Sequence, residues 1–438
     1  MYFSLAVGSD GNAYAWGDNT FGELGDGTNT HQYTPVMVRK PADAPADFTY
    51  MQVSGGSYQS LALGSDGNAY GWGDNSYGQL GDGTYEQRTT PVKARKPADA
   101  PADFTYVQVS AGSRHSLAVG SDGNAYAWGS RGSGQLGDGK YTYLFQNTPV
   151  KVKKPADAPA DFTYVQVSAG NLHSLAVGSD GNAYAWGDNG SGQLGDGTET
   201  KKNTPVKVKK PADAPADFTY VQVNAGGYHS LAVGSDGYAY AWGDNTSGQL
   251  GNDGTSNLSS PVRVFASAQS TSSSGPWLKA VQVSCGANHS LAAGSDGNVH
   301  VWGGNTDGQL GNDSISTWGY SPVPVPPVFS QRPVITGVRF DTSSSTNLIP
   351  RYGNTVTVFA PAHVPGTITV SVDYTMGNAP QQPDTSLRYE YTPAGVLPKA
   401  GGEGILLTLA TGMTGMGGVL ASRRHRRETH SLSYASHE

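Results

Sequence analysis

Cysteine is nearly absent from this sequence, and charged side chains are scarce. One of its 438 residues is a cysteine, Cys285, which excludes both an intramolecular disulfide framework and a zinc site built from several cysteines. Charged residues make up only 14%, and the net charge of -7 gives no general reason to expect nucleic acid or an anionic membrane as a partner. The N-terminus also lacks a basic segment followed by an apolar one, so no signal peptide is visible.

What the sequence does have is a repeated text rich in glycine and tyrosine. The stretch from Asn171 to Thr198, NLHSLAVGSDGNAYAWGDNGSGQLGDGT, occurs six times with small changes. Each copy is marked by a tryptophan: Trp16, Trp72, Trp128, Trp186, Trp242 and Trp302. Successive tryptophans are 56, 56, 58, 56 and 60 residues apart. A period this regular indicates a repeat architecture rather than a set of independent domains.

One repeat predicts four antiparallel strands. Residues 162–168, 173–178, 182–186 and 204–209 are short runs of strand-forming residues, and Asp180-Gly181 supplies the turn between the second and third. Four such strands form one blade of a β-propeller, in which each blade buries its faces against its neighbours. Strands two to four occur six times and strand one only five times, so the sequence predicts six blades, the first incomplete.

Three motifs carry a resemblance to a known family. The patterns Ala-Gly-x-x-His-Ser-Leu-Ala, Asp-Gly-x-x-Tyr-x-Trp-Gly and Gly-Gln-Leu-Gly resemble the RCC1 (regulator of chromosome condensation) repeat over residues 1–328. The resemblance implies an all-β propeller. Members of the family usually have seven blades, which implies about one further blade upstream and makes Met1 an expected fragment edge.

The segment after the repeats has a different pattern. The run Pro322–Pro327 reads as a stiff linker. Beyond it, residues 333–392 contain four alternating stretches, 334–340, 355–360, 367–374 and 386–392. This segment resembles a short immunoglobulin-like β module of the kind found on bacterial surface proteins.

The C-terminal residues 397–438 combine a pentapeptide, an apolar stretch and a basic tail. The pentapeptide is Leu397, Pro398, Lys399, Ala400 and Gly401, and the arginines of the tail are Arg423, Arg424, Arg426 and Arg427. The apolar stretch, 404–421, predicts a membrane-spanning helix, since eighteen helical residues extend about 27 Å. The arginines would stop the span on the cytoplasmic side.

This order resembles the sortase cell-wall sorting signal, with Ala400 where threonine is usual. The resemblance implies cleavage after Ala400 and attachment to peptidoglycan, with sortase as a partner and a Gram-positive cell wall as the location. The alternative is a plain C-terminal membrane anchor.

Other candidate chemistry is better explained by the scaffold. His115, His173, His229 and His289 recur at one repeat position, but they belong to different blades and cannot share one metal ion, so we expect buried structural imidazoles. The loops 188–192 and 244–248 lack the spaced carboxylates of a calcium loop. No phosphate-binding loop or Ser-His-Asp grouping is recognisable, which predicts a protein that is not an enzyme and needs no cofactor.

The most informative positions are those where the copies disagree. Aromatic and apolar residues outside the repeat consensus lie in the variable loops: Phe21, Tyr33, Tyr77, Tyr85, Tyr141, Tyr143, Leu144 and Phe145. Exposed aromatic side chains are typical binding anchors, so Tyr77, Tyr85, Tyr141, Tyr143 and Phe145 are the candidate ligand contacts. The alternative is that they only pack loops between blades.

The predicted function is therefore binding. A surface-displayed adhesion protein would present the loop face of its propeller to an extracellular protein or glycan ligand. The alternatives are an inhibitor of a secreted enzyme and a guanine-nucleotide exchange factor of the RCC1 type.

Overall fold

In the computed structural model the chain forms two compact units, Met1–Pro326 and Pro327–Glu438, which are described separately. The described residues of the first unit are 3–266, 275–311 and 318–325. Those of the second are 333–340, 343–344, 349–351, 355–360, 366–376, 379–380, 384–391, 405–410, 418–424 and 430–436. All of the regular structure in these ranges is β-strand.

The first unit is a propeller whose described residues form six blades, one of three strands and five of four. Blade one contains β1 Phe3–Val7, β2 Ala13–Gly17 and β3 Gln32–Met37. Blade two contains β4 Tyr50–Gly55, β5 Gln59–Gly64, β6 Ala69–Gly73 and β7 Arg88–Lys93. Blade three contains β8 Tyr106–Ala111, β9 His115–Gly120, β10 Ala125–Gly129 and β11 Gln146–Lys151. The predicted all-β propeller with an incomplete first blade is confirmed.

The remaining blades repeat the same antiparallel order. Blade four contains β12 Tyr164–Ala169, β13 His173–Gly178, β14 Ala183–Gly187 and β15 Lys202–Lys207. Blade five contains β16 Tyr220–Ala225, β17 His229–Gly234, β18 Ala239–Gly243 and β19 Leu258–Arg263. Blade six contains β20 Ala280–Cys285, β21 His289–Gly294, β22 Val299–Gly304 and β23 Trp318–Val325.

Two glycines show how the repeat text fixes the strand pairing of blade four. Gly181, in the turn between β13 and β14, has a φ of 73°, which side-chain-bearing residues rarely adopt. Gly187 has a φ of 106° and lies so close to the preceding turn that a Cβ would stand 2.5 Å from the Leu172 carbonyl oxygen. The pairing of β14 with β15 shifts register between Ala185 and Gly187, and the observed β15 begins two residues before the predicted strand at 204.

The hydrophobic core lies between neighbouring blades. Trp186 and Tyr184 of blade four pack in one buried cluster with Leu117, Ala127 and Leu136 of blade three. The Trp186 indole Nε1 also donates a hydrogen bond of 2.9 Å to the Gln135 carbonyl oxygen of blade three. Since one blade cannot bury both of its own faces, each one is stabilised mainly by its neighbours.

The repeated histidines join the blades through serine hydroxyls. His115 Nε2 lies 2.9 Å from Ser174 Oγ, and Ser174 Oγ donates to the Gln135 carbonyl oxygen at 2.8 Å. Because the serine hydrogen is used there, His115 donates from Nε2 and its Nδ1 has no hydrogen-bond partner. Burial lowers the pKa of His115, His173 and His229 to about 3. These are neutral structural imidazoles, bonded to a serine of the next blade.

The second unit also consists of antiparallel strands. One sheet contains β24 Pro333–Phe340, β25 Ser343–Ser344, β28 Gly366–Met376, β29 Ala379–Pro380 and β30 Asp384–Tyr391. Another contains β26 Ile349–Arg351, β27 Thr355–Ala360 and β31 Ile405–Ala410, and a third pairs β32 Gly418–Arg424 with β33 His430–Ser436. Strands lie at all four positions expected within 333–392, while the immunoglobulin-like assignment itself stays a prediction.

The described residues of 404–421 do not form the predicted membrane-spanning helix. Ile405–Ala410 pairs with Thr355–Ala360, and Gly418–Arg424 pairs with His430–Ser436. Each interior glycine costs a helix about 1 kcal/mol, and this stretch has five glycines, four of them after its first residue. Across the described residues, none of the regular structure is a helix of the length and apolarity that a membrane crossing requires.

Candidate binding surface

The long loop between the third and fourth strands is the part of each blade that varies most. In blades two, three and four it spans residues 74–87, 130–145 and 188–201. The strands are antiparallel, so these loops lie at the same end of the propeller as the short turns between strands one and two. We call this end the loop face.

In blade four an asparagine holds the loop in shape. The Asn189 side-chain oxygen accepts a hydrogen bond of 2.9 Å from the buried Leu194 amide. Its Nδ2 donates to the Thr198 and Thr200 carbonyl oxygens at 2.9 Å and 3.2 Å. The Gln193 amide donates to Asp188 Oδ2 at 2.9 Å. The loop backbone is thus fixed by one buried side chain, and blade five repeats much of this arrangement.

Blade three departs from that arrangement. Ser130 and Arg131 stand where blade four has Asp188 and Asn189. The Arg131 guanidinium is buried, donates from Nη2 to Gln146 Oε1 at 2.6 Å, and lies 3.4 Å from Asp138 Oδ2. A buried arginine between these two partners braces the base of the loop instead of the asparagine.

The C-terminal side of the blade-three loop rests on blade two. The rings of Phe145 and Tyr77 meet edge to face with centroids 4.8 Å apart. The Tyr85 hydroxyl donates to the Phe145 carbonyl oxygen at 3.2 Å. Arg114 belongs to blade three, in the turn between β8 and β9. Its guanidinium lies over the Tyr77 ring, 4.9 Å from the ring centroid. A ring pair, a tyrosine hydroxyl and a cation therefore meet at the joint of blades two and three.

Four residues before Phe145, the same loop rests on blade four. The Tyr141 hydroxyl donates to the Lys201 carbonyl oxygen at 3.0 Å, and the Lys201 ammonium lies 5.0 Å from the Tyr141 ring centroid. Partial burial raises the pKa of Tyr141, and its neutral phenol donates this hydrogen bond. The segment from Tyr141 to Phe145 is thus held on one side by Lys201 and on the other by Tyr77.

Between these two supports the tip of the loop projects into solvent. Tyr143 is 93% exposed and Leu144 is 77% exposed. Large apolar side chains exposed side by side on a braced loop are typical of a protein contact rather than of ordinary surface. Tyr33 in blade one is equally exposed, at 95%, but no ring contact of Tyr33 is found among the described residues. We call Tyr77, Tyr85, Arg114, residues 141–145 and Lys201 the aromatic surface.

The sequence-predicted contacts are therefore divided between two roles. Tyr77, Tyr85 and Phe145 come together, Tyr141 rests on blade four, and Tyr143 lies between Tyr141 and Phe145. Packing between blades and exposure to solvent both occur on the blade-three loop, and ligand contact stays a prediction. Sequence reasoning missed Arg114, Lys201 and Arg131. All three stand at positions where the copies disagree, the same signal that identified the aromatic residues.

The other predicted sites lie mostly outside the described residues. The pentapeptide Leu397–Gly401 is outside them, as are Arg426 and Arg427, whereas Arg423 and Arg424 end strand β32. No group of three or more His, Cys, Asp or Glu side chains suited to a metal ion occurs in the described part of the chain.

Comparison with known proteins identifies the repeat. The profile of the "Regulator of chromosome condensation (RCC1) repeat" matches residues 10–63, 66–119, 122–177, 180–233 and 236–293. The chain is 33% identical over 299 residues to the ultraviolet-B receptor UVR8 of Arabidopsis thaliana. It is 34% identical over 293 residues to the probable E3 ubiquitin-protein ligase HERC6 of Homo sapiens. These matches cover 68% and 66% of this chain but only 62% of the receptor and 26% of the ligase.

Solved structures share the same fold. Human WBSCR16 superposes with a TM-score of 0.64 and 26% identity, over 76% of this chain and 82% of that one. Yeast RCC1 (Prp20), solved in complex with Kap60, gives a TM-score of 0.62 over 77% of this chain and 76% of its own. At 21% identity, the yeast match shows the fold alone.

Proposed function

The chain belongs to the regulator of chromosome condensation (RCC1) repeat family, and on that premise we propose that it is a non-enzymatic binding module that holds a protein partner on its aromatic surface. The relatives named above are a receptor and a probable ligase, so the shared propeller serves proteins of different activity. Function must therefore be argued from the surface of this chain rather than from its fold.

The observation that carries the proposal is the exposed tip at Tyr143 and Leu144. A hot spot needs large side chains that a partner can cover, held in place before binding so that little conformational entropy is lost. Phe145 on Tyr77 and Tyr141 on Lys201 supply that support from both sides. Leu144, apolar and 77% exposed, favours a protein partner over a glycan, which would need flat aromatic faces and polar neighbours.

The test is site-specific crosslinking from the tip of the loop. A photoreactive phenylalanine analogue at position 143 should crosslink to a discrete partner in extracts of cells or host tissue. The double variant Leu144→Ser/Phe145→Ser should lose that crosslink, because the apolar contact and its support are both removed. Tyr33→Ser is the matched control, since it removes an equally exposed tyrosine elsewhere on the propeller. Crosslinking that survives the double variant, or disappears in the control, would contradict the proposal.

We further propose that the module is displayed on a Gram-positive cell wall. The support is the order of residues in the sequence: Leu397–Gly401, the apolar stretch and then the arginines. Leu397→Ala/Pro398→Ala should move the protein from the fraction released by wall-digesting enzymes into the membrane or the medium. The test uses the full chain behind a secretion signal in a Gram-positive host, with a sortase-deficient strain as control. Wall attachment that needs neither the pentapeptide nor the sortase would exclude this proposal.

A further inference from the structure

The basic side chains at the two ends of the propeller have different partners. At the end opposite the loop face, a basic residue of strand four reaches an aspartate in the connector before its own blade. The pairs are Lys93–Asp43 at 2.9 Å, Lys151–Asp99 at 3.1 Å, Lys207–Asp157 at 2.9 Å and Arg263–Asp213 at 2.9 Å. At that end the structure supplies its own counter-charge, blade after blade.

On the aromatic surface the cations rest on rings and lack a carboxylate partner within the part of the chain that the structure describes, whereas Lys93, Lys151 and Lys207 have both a ring and a carboxylate. Arg114 lies over Tyr77 and Lys201 over Tyr141, at 4.9 Å and 5.0 Å from the ring centroids. Among the described residues, no carboxylate oxygen lies within 4.0 Å of either cation. A ring face holds a cation in position and removes part of its water, but it brings no full negative charge. Both cations are exposed, so they are positioned and still uncompensated.

The acidic groups nearby are partly neutralised by other cations. Asp82 and Glu86 of blade two both pair with Arg88, at 3.1 Å each, and Asp138 is buried beside Arg131. The blade-four loop does expose Glu199, two residues before Lys201. Glu199 has no basic partner within 4.0 Å among the described residues, so it weakens the positive field at that side without neutralising the surface.

These charges flank an apolar centre. The loop of blade three lies between Arg114 on the blade-two side and Lys201 on the blade-four side, with Leu144 exposed between the two. A matching ligand therefore has negative charge at two places and an apolar side chain between them. Two cations are few for nucleic acid, whose affinity comes from neutralising several phosphates, and the chain as a whole carries a net charge of -7.

We propose that the aromatic surface binds an acidic segment of a partner protein, whose carboxylates pair with Arg114 and Lys201 and whose apolar or aromatic side chain packs on Leu144 and Phe145. This inference rests on the proposed function and names the chemistry of its partner. Charge complementarity of this kind sets partner choice and association rate, and it makes binding weaker at high salt.

The experiment uses the full chain and polymers of defined charge. A random copolymer of glutamate and tyrosine should bind in isothermal titration at low salt, more weakly at high salt, and through the aromatic surface. The double variant Arg114→Gln/Lys201→Gln should bind it about tenfold more weakly. Lys93→Gln/Lys151→Gln is the matched control, because it removes the same net charge from cations that are already paired. Glu199→Lys should tighten binding.

Thermal melts of each variant confirm that the propeller is folded before titration. The inference is overturned if Arg114→Gln/Lys201→Gln binds like the control, if a lysine–tyrosine copolymer binds as well, or if an oligothymidylate binds more tightly. If the acidic copolymer fails while the crosslink from position 143 still depends on Leu144 and Phe145, the acidic partner is wrong and the proposed function stands. If both fail, both are wrong.

Discussion

Blades three and four each have four equivalent strands and an equivalent buried tryptophan, yet their long loops expose different side chains to the solvent. In blade four a buried asparagine fixes a polar loop. In blade three a buried arginine braces a loop whose tip is Tyr143 and Leu144. Residues that recur in both blades hold the propeller together, whereas residues that differ between them determine what it offers to a partner.

The largest expected effect comes from breaking what the two blades share. Trp186→Ala should cost about 3–5 kcal/mol of unfolding free energy, because it leaves a cavity between blades three and four. The change also removes the hydrogen bond to the Gln135 carbonyl. Urea unfolding followed by circular dichroism measures the loss. Leu144→Ala, at the exposed tip, should change stability by no more than about 0.5 kcal/mol. Equal losses of unfolding free energy at the two positions would contradict the distinction between residues that stabilise the propeller and residues that form its surface.

A second change removes the loop asparagine of blade four, which blade three does not have. Asn189→Ala should cost about 2 kcal/mol, since the buried Leu194 amide is then left without an acceptor. Hydrogen exchange should also rise over residues 194–200. The control is Asn182→Ala, which removes an asparagine that bonds only within its own hairpin, to Asp180. If the two substitutions are equally mild, the asparagine does not hold the blade-four loop.

The buried histidines make the stability of the propeller depend on pH. The unfolded chain binds a proton at each imidazole near pH 6.5, whereas burial lowers the pKa of His173 to about 3 in the fold. The contribution of the neutral His173 to the free energy of unfolding is therefore complete above pH 6.5, and it decreases as the pH falls from 6.5 toward 3. Each such histidine should contribute a slope of about 1.4 kcal/mol per pH unit.

Replacing one of these histidines should remove its share of that slope. His173→Gln imitates blade two, where Gln59 stands at the same position. Near pH 7 the variant should have a lower free energy of unfolding than the parent, and the difference should be largest there. As the pH falls, the two curves should converge or cross. Parallel curves down to pH 4 would show that His173 titrates in the fold like an exposed imidazole.

The smallest expected effect concerns blade one, which departs from blade four at Glu23. The corresponding Gln193 donates to Asp188, while buried Glu23 has Oε1 without a hydrogen-bond partner. Burial, followed by the charge of Asp18, raises the pKa of Glu23, so its ionisation destabilises the fold as pH rises above 4.5. Glu23→Gln should gain about 1 kcal/mol at pH 7 and less below pH 4.5. A stability loss at pH 7 would show that the carboxylate is favourable.

Most of the propeller could be predicted because the repeat multiplies each weak local signal. One Asp-Gly hairpin is ambiguous, but six of them followed by Trp-Gly define six blades and show that the first lacks a strand. The stretch 404–421 had no such support. An apolar run such as Ile405–Ala410 suits a helix or a strand equally, and its partner strand, Thr355–Ala360, is distant in the sequence.

The candidate site was predicted in its aromatic members and missed in its charged ones. Tyr141 and Phe145 stand out because most copies have no aromatic residue at these positions; Tyr85 of blade two and Trp318 of blade six are the exceptions. The contact of Arg114 with Tyr77 and of Lys201 with Tyr141 joins different blades, so only the fold brings these pairs together. The burial of Arg131 is also invisible in the sequence, where an arginine in a loop reads as an exposed residue.

The joints between the blades have a consequence for the gene. Blade four contributes one side of each of its two joints: Gln166 donates to the Val223 carbonyl of the next blade, and the Val167 amide donates to Gln108 of the preceding blade. Residues 96–112 and 154–170 are identical. Recombination between such stretches would insert or delete a whole blade without altering any joint. We therefore expect alleles that differ in length by single repeats, which sequencing of natural isolates would reveal.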